Sequence, residues 1–263
     1  MSHPQHLRIG LLHCAPGLGA LAENRALIER GIEGAARHGA SWVLTPELAV
    51  CGYGFAAVTG TEWILPQPDA WMMDVAARAR RLGISVFLGC PERDPDTGRL
   101  HNSLFAIDRD GRMAGRHRKL HVIPGSESWS TPGQQLEPVV VDDIRVGLLV
   151  CADAYPPGPA RRLAELGAQV LVSAAAWAPG EHGPAGEWEA RSQETGLPVI
   201  VCNRTGTEPV MDFEGAESVL VRGGQREVEF SAPASTLVIV DWTLGGTDPD
   251  ARIHCRELLA AYR

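Results

Sequence analysis

The chain has no Cys-x-x-Cys pair and no dense cysteine cluster; Cys14, Cys51, Cys90, Cys151, Cys202 and Cys255 are scattered through 263 residues. That scatter argues against a disulfide framework and a structural zinc site, and it fits a reduced, cytoplasmic protein. Long apolar runs are missing as well. Gly, Pro, Asp or Arg interrupts each one well before the ~20 residues of a membrane span, and the run from Ile9 to Leu12 is too brief for the apolar part of a secretion signal. Positive charge is not in excess: 24 Lys and Arg face 32 Asp and Glu, a net charge of −8. Neither nucleic acid nor an anionic membrane is therefore an expected partner. No G-x-G-x-x-G or Walker-type loop occurs, so no nucleotide cofactor is indicated. No low-complexity linker divides the chain either, and residues 1–263 are expected to form one domain. What is present is 44% hydrophobic and 21% charged residues, which excludes disorder and supplies a sizeable core.

The clearest internal pattern is an amphipathic helical segment that ends at a glycine and is followed at once by an apolar run. It occurs four times. Ala22 to His38 precedes Gly39 and Ala-Ser-Trp-Val-Leu; Ala70 to Leu82 precedes Gly83 and Ile-Ser-Val-Phe-Leu. Pro159 to Leu166 precedes Gly167, and Glu187 to Thr195 precedes Gly196. Each glycine falls where a helix ends in a left-handed residue, a conformation glycine adopts without steric cost. Strands at Arg8 to His13 and Ile144 to Val150 complete β-α-β-α-β in each half, an internal two-fold repeat of a mixed α/β architecture. Alternating stretches at His101 to Asp108, Arg112 to Leu120, Ser218 to Val221, Glu227 to Phe230 and Thr236 to Val240 read as antiparallel additions. The tail, residues 250–263, reads as a helix with Cys255, Leu258, Leu259 and Tyr262 on one stripe, suited to an oligomer interface.

Ligand sites of open α/β sheets lie beyond the carboxyl ends of the strands. There the sequence places a carboxylate, Glu47, after Trp42-Val43-Leu44; an ammonium, Lys119, after Arg116-His117-Arg118; and a thiol, Cys151, after Val146 to Val150. Taken singly, each has an ordinary reading as a cap, a solvated strand end or a buried small side chain. Together they are the parts of covalent acyl transfer: a base, a cation and a nucleophile. The thiolate needs a neighbouring base or cation to form at neutral pH. Glu47 is suited to take its proton, and Lys119 and the Ala152 N–H to hold an oxyanion. His117 and His121 flank Lys119 at period two, but without three converging ligands they read as hydrogen-bonding or surface histidines, and no metal is expected. Trp177 and Trp188 read as core or pocket wall.

These residues carry a family resemblance. Thr45-Pro46-Glu47 with Gly52-Tyr53-Gly54, His117-Arg118-Lys119-Leu120 and Val150-Cys151-Ala152-Asp153 resemble the glutamate, lysine and cysteine signatures of the nitrilase superfamily of carbon–nitrogen hydrolases. Secondary matches are His101 to Leu104 with Asp110-Gly111, Glu127 to Gly133, Trp188 with Arg191 and Glu194, and Asn203 to Gly206. The resemblance implies a four-layer α-β-β-α sandwich, often paired in homodimers or higher homo-oligomers, and a small-molecule amide substrate hydrolysed without a cofactor. It implies that Glu127 is the additional glutamate beside the lysine, and that Tyr53, Asp153 and Trp177 are supporting or substrate-binding residues. Asp153 stands in the amidase position, where nitrile-cleaving members carry Trp-Glu after the cysteine. A linear amide is therefore expected ahead of an N-carbamoyl compound or a nitrile. Tyr155-Pro156-Pro157 replaces the segment where some carbamoylases fix a substrate carboxylate, which leaves Arg161, Arg162 or Arg204 as the cations able to do so. Two other readings are a thiol glutaminase or cysteine peptidase, for which Cys151 lacks the small-residue elbow and a partner histidine, and a catalytically silent small-molecule-binding protein on the same fold.

Overall fold

The computed structural model describes residues 5–180, 182–209, 211–246 and 249–259. The first half runs β1 (Gln5–His13), α1 (Leu21–Arg37), β2 (Trp42–Leu44), α2 (Ala56–Thr59), α3 (Ala70–Leu82), β3 (Ser85–Arg93), β4 (Leu100–Ile107) and β5 (Met113–Arg118). The second runs β6 (Val139–Val141), β7 (Ile144–Val150), a 3-10 turn (Cys151–Ala154), α4 (Pro157–Glu165), β8 (Val170–Ala175), α5 (Glu187–Thr195) and β9 (Val199–Asn203). A hairpin of β10 (Thr207–Glu208) and β11 (Met211–Asp212) follows, then β12 (Ser218–Arg222), β13 (Gln225–Phe230), β14 (Thr236–Leu244) and β15 (Arg252–Leu258).

Two sheets result, ordered β15-β14-β1-β2-β3-β4-β5 and β13-β12-β9-β8-β7-β6. In each, the three strands of the repeated unit are parallel neighbours, and antiparallel strands extend the sheet outward. The four glycines that close the predicted helices all have positive φ, 73° at Gly39, 65° at Gly83, 84° at Gly167 and 69° at Gly196. Inner-face side chains of the two sheets make one core, with Ile9, Leu11, Trp42, Leu44, Phe87 and Leu104 meeting Val146, Leu148, Val170 and Val172. On the outer face of the first sheet, Ile28 and Ile32 of α1 and Met72, Val75 and Ala79 of α3 cover Leu12, Val43, Val86 and Leu88. α4 lies on β7, and α5 on β9 and β12. The layers are thus α-β-β-α, with the parallel strands of both sheets buried on two faces.

Two expectations need correction. Residues 252–258 are not helical but form β15, antiparallel to β14. Arg-Ile-His-Cys-Arg-Glu-Leu alternates exposed and half-buried positions at period two, and pairing with β14 outweighs its helical propensity. The supposed stripe is split: Leu258 is exposed while Leu259 is buried, and Tyr262 lies outside the described residues. The strand expected over Arg112 to Leu120 stops at Arg118. The N–H groups of Leu120 and His121 turn to the Asp153 carboxylate instead of a neighbouring strand, so His117 and His121 do not share a strand face with Lys119.

Candidate active site

Glu47 is delivered to the space between the sheets by a turn that can exist only over a glycine. After β2 the chain crosses β3 at Gly89, where an added Cβ would stand 2.2 Å from the Pro46 carbonyl oxygen. The Gly89 N–H donates to Thr45 Oγ1 at 2.9 Å, and Leu48 has a positive φ of 50°. Across the sandwich the Glu47 N–H reaches the Ala175 carbonyl at the end of β8, at 3.3 Å. The fully buried carboxylate then accepts three donors. Oε1 accepts from Lys119 Nζ at 2.7 Å and Asn102 Nδ2 at 2.7 Å, and Oε2 accepts from the Ala176 N–H at 2.9 Å.

Lys119 is the only lysine in the chain, and it is fully buried. Its Nζ donates to Glu47 and to Glu127 Oε1, the latter at 2.5 Å. Burial alone would lower the ammonium, but Glu47 and Glu127, and the Cys151 sulfur when ionised, outweigh it and hold the pKa well above the ordinary lysine value. Glu127 is pushed up to about 7, first by burial and then by the neighbouring Glu47 charge, with Lys119 pulling the other way. The Ile123 N–H also donates to Glu127 Oε2 at 3.3 Å.

Cys151 follows β7 on a sharp turn, with φ of 46°, a region that costs a non-glycine residue about 1–3 kcal/mol. An elbow thus presents the thiol although the sequence around it lacks the expected small-residue pattern. Asp153 holds the elbow closed. Its Oδ2 accepts from the Val150 N–H at 3.0 Å and His117 Nε2 at 2.8 Å, and its Oδ1 accepts from the N–H groups of Leu120 and His121, both at 2.9 Å, with His121 Nδ1 at 3.2 Å. Burial opposes its charge, but His117 and His121 hold the carboxyl well below the usual range. With every oxygen engaged, Asp153 ties the cysteine turn to the lysine loop and does not face a substrate. Burial, then Glu47, pushes the Cys151 thiol well up, while Lys119 draws it down. A raised thiol of this kind needs a neighbouring base to become a thiolate.

Trp177 follows β8 and is buried; its ring lies 4.5 Å from that of Tyr155 and meets Trp188 edge-on at 5.1 Å. Trp177 Nε1 and Tyr155 Oη both donate to the His182 carbonyl. Tyr53 Oη lies 3.1 Å from Ser126 Oγ, beside Glu127, and the Tyr53 and Gly54 N–H groups are held by Glu208 at 2.8 Å each. Arg204 pairs with that same Glu208 and stacks on Phe213; Arg161 and Arg162 pair with Glu194 and Glu165. Arg204 is thus buried and committed to Glu208, whereas Arg161 and Arg162 are surface cations in exposed pairs. Sequence reasoning quoted Asn102 but gave it no role, and it missed Glu208, Gly89 and the Ala176 N–H. A lone lysine among 24 basic residues was a signal that it did not use. Among the described residues, no three His, Cys, Asp or Glu side chains converge on a point able to hold a metal ion, and no helix is long and apolar enough to cross a membrane.

The carbon–nitrogen hydrolase family model matches residues 8–230. The chain is 29% identical over 253 residues to a glutamine-dependent NAD(+) synthetase from Rhodobacter capsulatus, covering 92% of this chain but 44% of that protein. It is 33% identical over 155 residues to an (R)-stereoselective amidase from a Pseudomonas species, 57% of this chain and 52% of that one. It thus spans about half the length of these curated relatives. An amidase from Nesterenkonia sp. AN1, solved with the acetamide moiety of fluoroacetamide added covalently to its active-site cysteine, superposes with a TM-score of 0.79 at 26% identity, over 90% of both chains.

Proposed function

The chain belongs to the carbon–nitrogen hydrolase family and is a hydrolase of C–N bonds; on that footing we propose that it hydrolyses a small linear amide through a thioester on Cys151. The observation that carries this reading is the buried cluster of the only lysine and two carboxylates, with the buried Cys151 thiol near enough to feel all three charges. Cys151 Sγ attacks the carbonyl carbon as its proton passes to Glu47. Lys119 Nζ and the Ala152 N–H receive the oxyanion. Collapse breaks the C–N bond, and the nitrogen leaves as ammonia or an amine with the proton from Glu47. Water, deprotonated by Glu47, then attacks the thioester, and the carboxylic acid departs as Cys151 regains its proton.

The substrate class rests on three supports: the Asp153 position after the cysteine, the amidases among the relatives, and the commitment of the buried Arg204 to Glu208. Ammonia release from a panel of primary amides, N-carbamoyl amino acids and nitriles tests it. Primary amides are expected to give the highest kcat/KM, and a higher value for either other class would overturn the assignment. Cys151→Ala and Glu47→Gln are expected to be inactive. Retention of more than about a tenth of the rate, some 1.4 kcal/mol of barrier, would sink the assigned roles. A reduced cytoplasmic setting and a symmetric homo-oligomer complete the proposal; with the C-terminal helix gone, the latter rests on family resemblance, and a monomer in sedimentation at micromolar concentration would refute it.

A further inference from the structure

We propose that Asn102 is the positioning residue of this site: its amide directs the Glu47 carboxylate so that Oε2 is the oxygen that takes the thiol proton. The proposal rests on the reading of Glu47 as the base.

Asn102 lies on β4 and is 1% exposed. Its side chain and backbone reach three of the groups in the cluster. Nδ2 donates to Glu47 Oε1 at 2.7 Å. Its carbonyl accepts the Lys119 N–H at 2.8 Å, which fixes the lysine where β5 ends. Its own N–H donates to Ser130 Oγ at 3.0 Å, and the Ser130 N–H donates to the Glu127 carbonyl at 2.8 Å. One strand residue therefore sets the spacing of both carboxylates and the ammonium.

The chemistry of the amide explains the residue type. A carboxylate oxygen has about two good acceptor sites. Lys119 Nζ and Asn102 Nδ2 together occupy those of Oε1, whereas Oε2 holds only the Ala176 N–H. Oε2 therefore keeps room for one further hydrogen, which Oε1 does not. Aspartate in place of Asn102 would put a third carboxylate against one ammonium. Alanine would leave Oε1 as open to a proton as Oε2.

The test uses Asn102→Ala and Asn102→Asp in the full chain, with Glu47→Gln as reference. In Asn102→Ala, kcat is expected to fall about 10- to 100-fold, the loss of one hydrogen bond to a charged group, with KM within about threefold. The acid limb of the kcat/KM profile is expected to move to higher pH, and further in Asn102→Asp, because donors that favour the charged cluster are lost or replaced by a like charge. Because Lys119 is the only lysine, protein labelled with ε-15N lysine gives one side-chain amine signal, which is expected to shift in both variants. An unmoved acid limb and an unmoved lysine signal would overturn the proposal even if activity fell, as would failure of both variants to fold, since Asn102 would then be purely structural. Glu47→Gln separates the two readings: if it stays active, the base assignment fails; if it is inactive while Asn102→Ala is normal, only the Asn102 inference fails.

Discussion

Gly89→Ala is a one-carbon change on a strand of the first sheet, and it should behave as an active-site mutation. The new Cβ would sit 2.2 Å from the Pro46 carbonyl oxygen and 3.1 Å from Glu47 Cα, both backbone atoms. Nonbonded atoms keep about 3.5 Å, so the Pro46 to Leu48 turn must retreat by roughly 1 Å. Glu47 has no slack for that: its bonds to Lys119 and Asn102 are both 2.7 Å and that to the Ala176 N–H is 2.9 Å. Lengthened by an ångström, each passes beyond about 3.5 Å and ceases to be a hydrogen bond. Misplacement of a catalytic group on this scale costs on the order of 100-fold in rate, and overpacking costs about 1–3 kcal/mol in stability. Steady-state ammonia release, with thermal unfolding followed in the same buffer, measures both. A Gly89→Ala protein with kcat/KM within about threefold of the parent and an unchanged Tm would show that the turn does not depend on this approach, and the geometric account of Glu47 would fall.

The remaining expectations follow from groups around the site. Asp153→Asn should destabilise the protein by about 3 kcal/mol at neutral pH, since it leaves His117 and His121 facing a neutral amide. Because the Asp153 carboxyl is held low in the fold, its contribution is present above the unfolded value near 4 and fades as pH falls through the folded one, so parent and variant should converge in acid; a pH-independent gap in denaturant titrations would contradict this. His13 is fully buried and pushed down to about 4, chiefly by burial. The unfolded chain takes up that proton first, so stability should drop by roughly 3 kcal/mol between pH 6.5 and 4, a slope that His13→Asn should flatten. Glu208→Gln weakens the grip on the Tyr53 and Gly54 N–H groups and strands Arg204; it should lower the rate of Cys151 alkylation by iodoacetamide as well as kcat/KM, and normal alkylation would separate the Tyr53 loop from the chemistry.

The β-α-β halves were legible because their boundaries are written in local chemistry. A glycine must end a helix in the left-handed region, and all four such glycines do so. That Glu47 and Lys119 meet was legible because strand ends restrict where such side chains can lie, and the structure pairs them. The tail was not. Arg252 to Leu258 owes its strand to the free edge of β14, a partner that no local window contains. Asn102 was missed for the same reason, since what makes it matter is a carboxylate 55 positions away. The Ala176 N–H carries no side-chain signature at all. Asp153 was expected as a supporting or substrate-binding residue, and sequence could not separate the two because it does not show that the two strand-end loops close around this carboxylate.

The choice of lysine at position 119 shows how closely the site constrains its residues. This chain uses arginine at every other basic position, yet it keeps one lysine, fully buried, between two carboxylates. An arginine would satisfy the charge but not the geometry: its planar fork pairs bidentately with one carboxylate and spreads its charge over a guanidinium. An ammonium is a compact charge with three donors. Two go to Glu47 and Glu127, and the third is the one that the proposed mechanism assigns to the oxyanion. The same compactness keeps Lys119 close enough to draw the buried thiol down while Glu47 pushes it up.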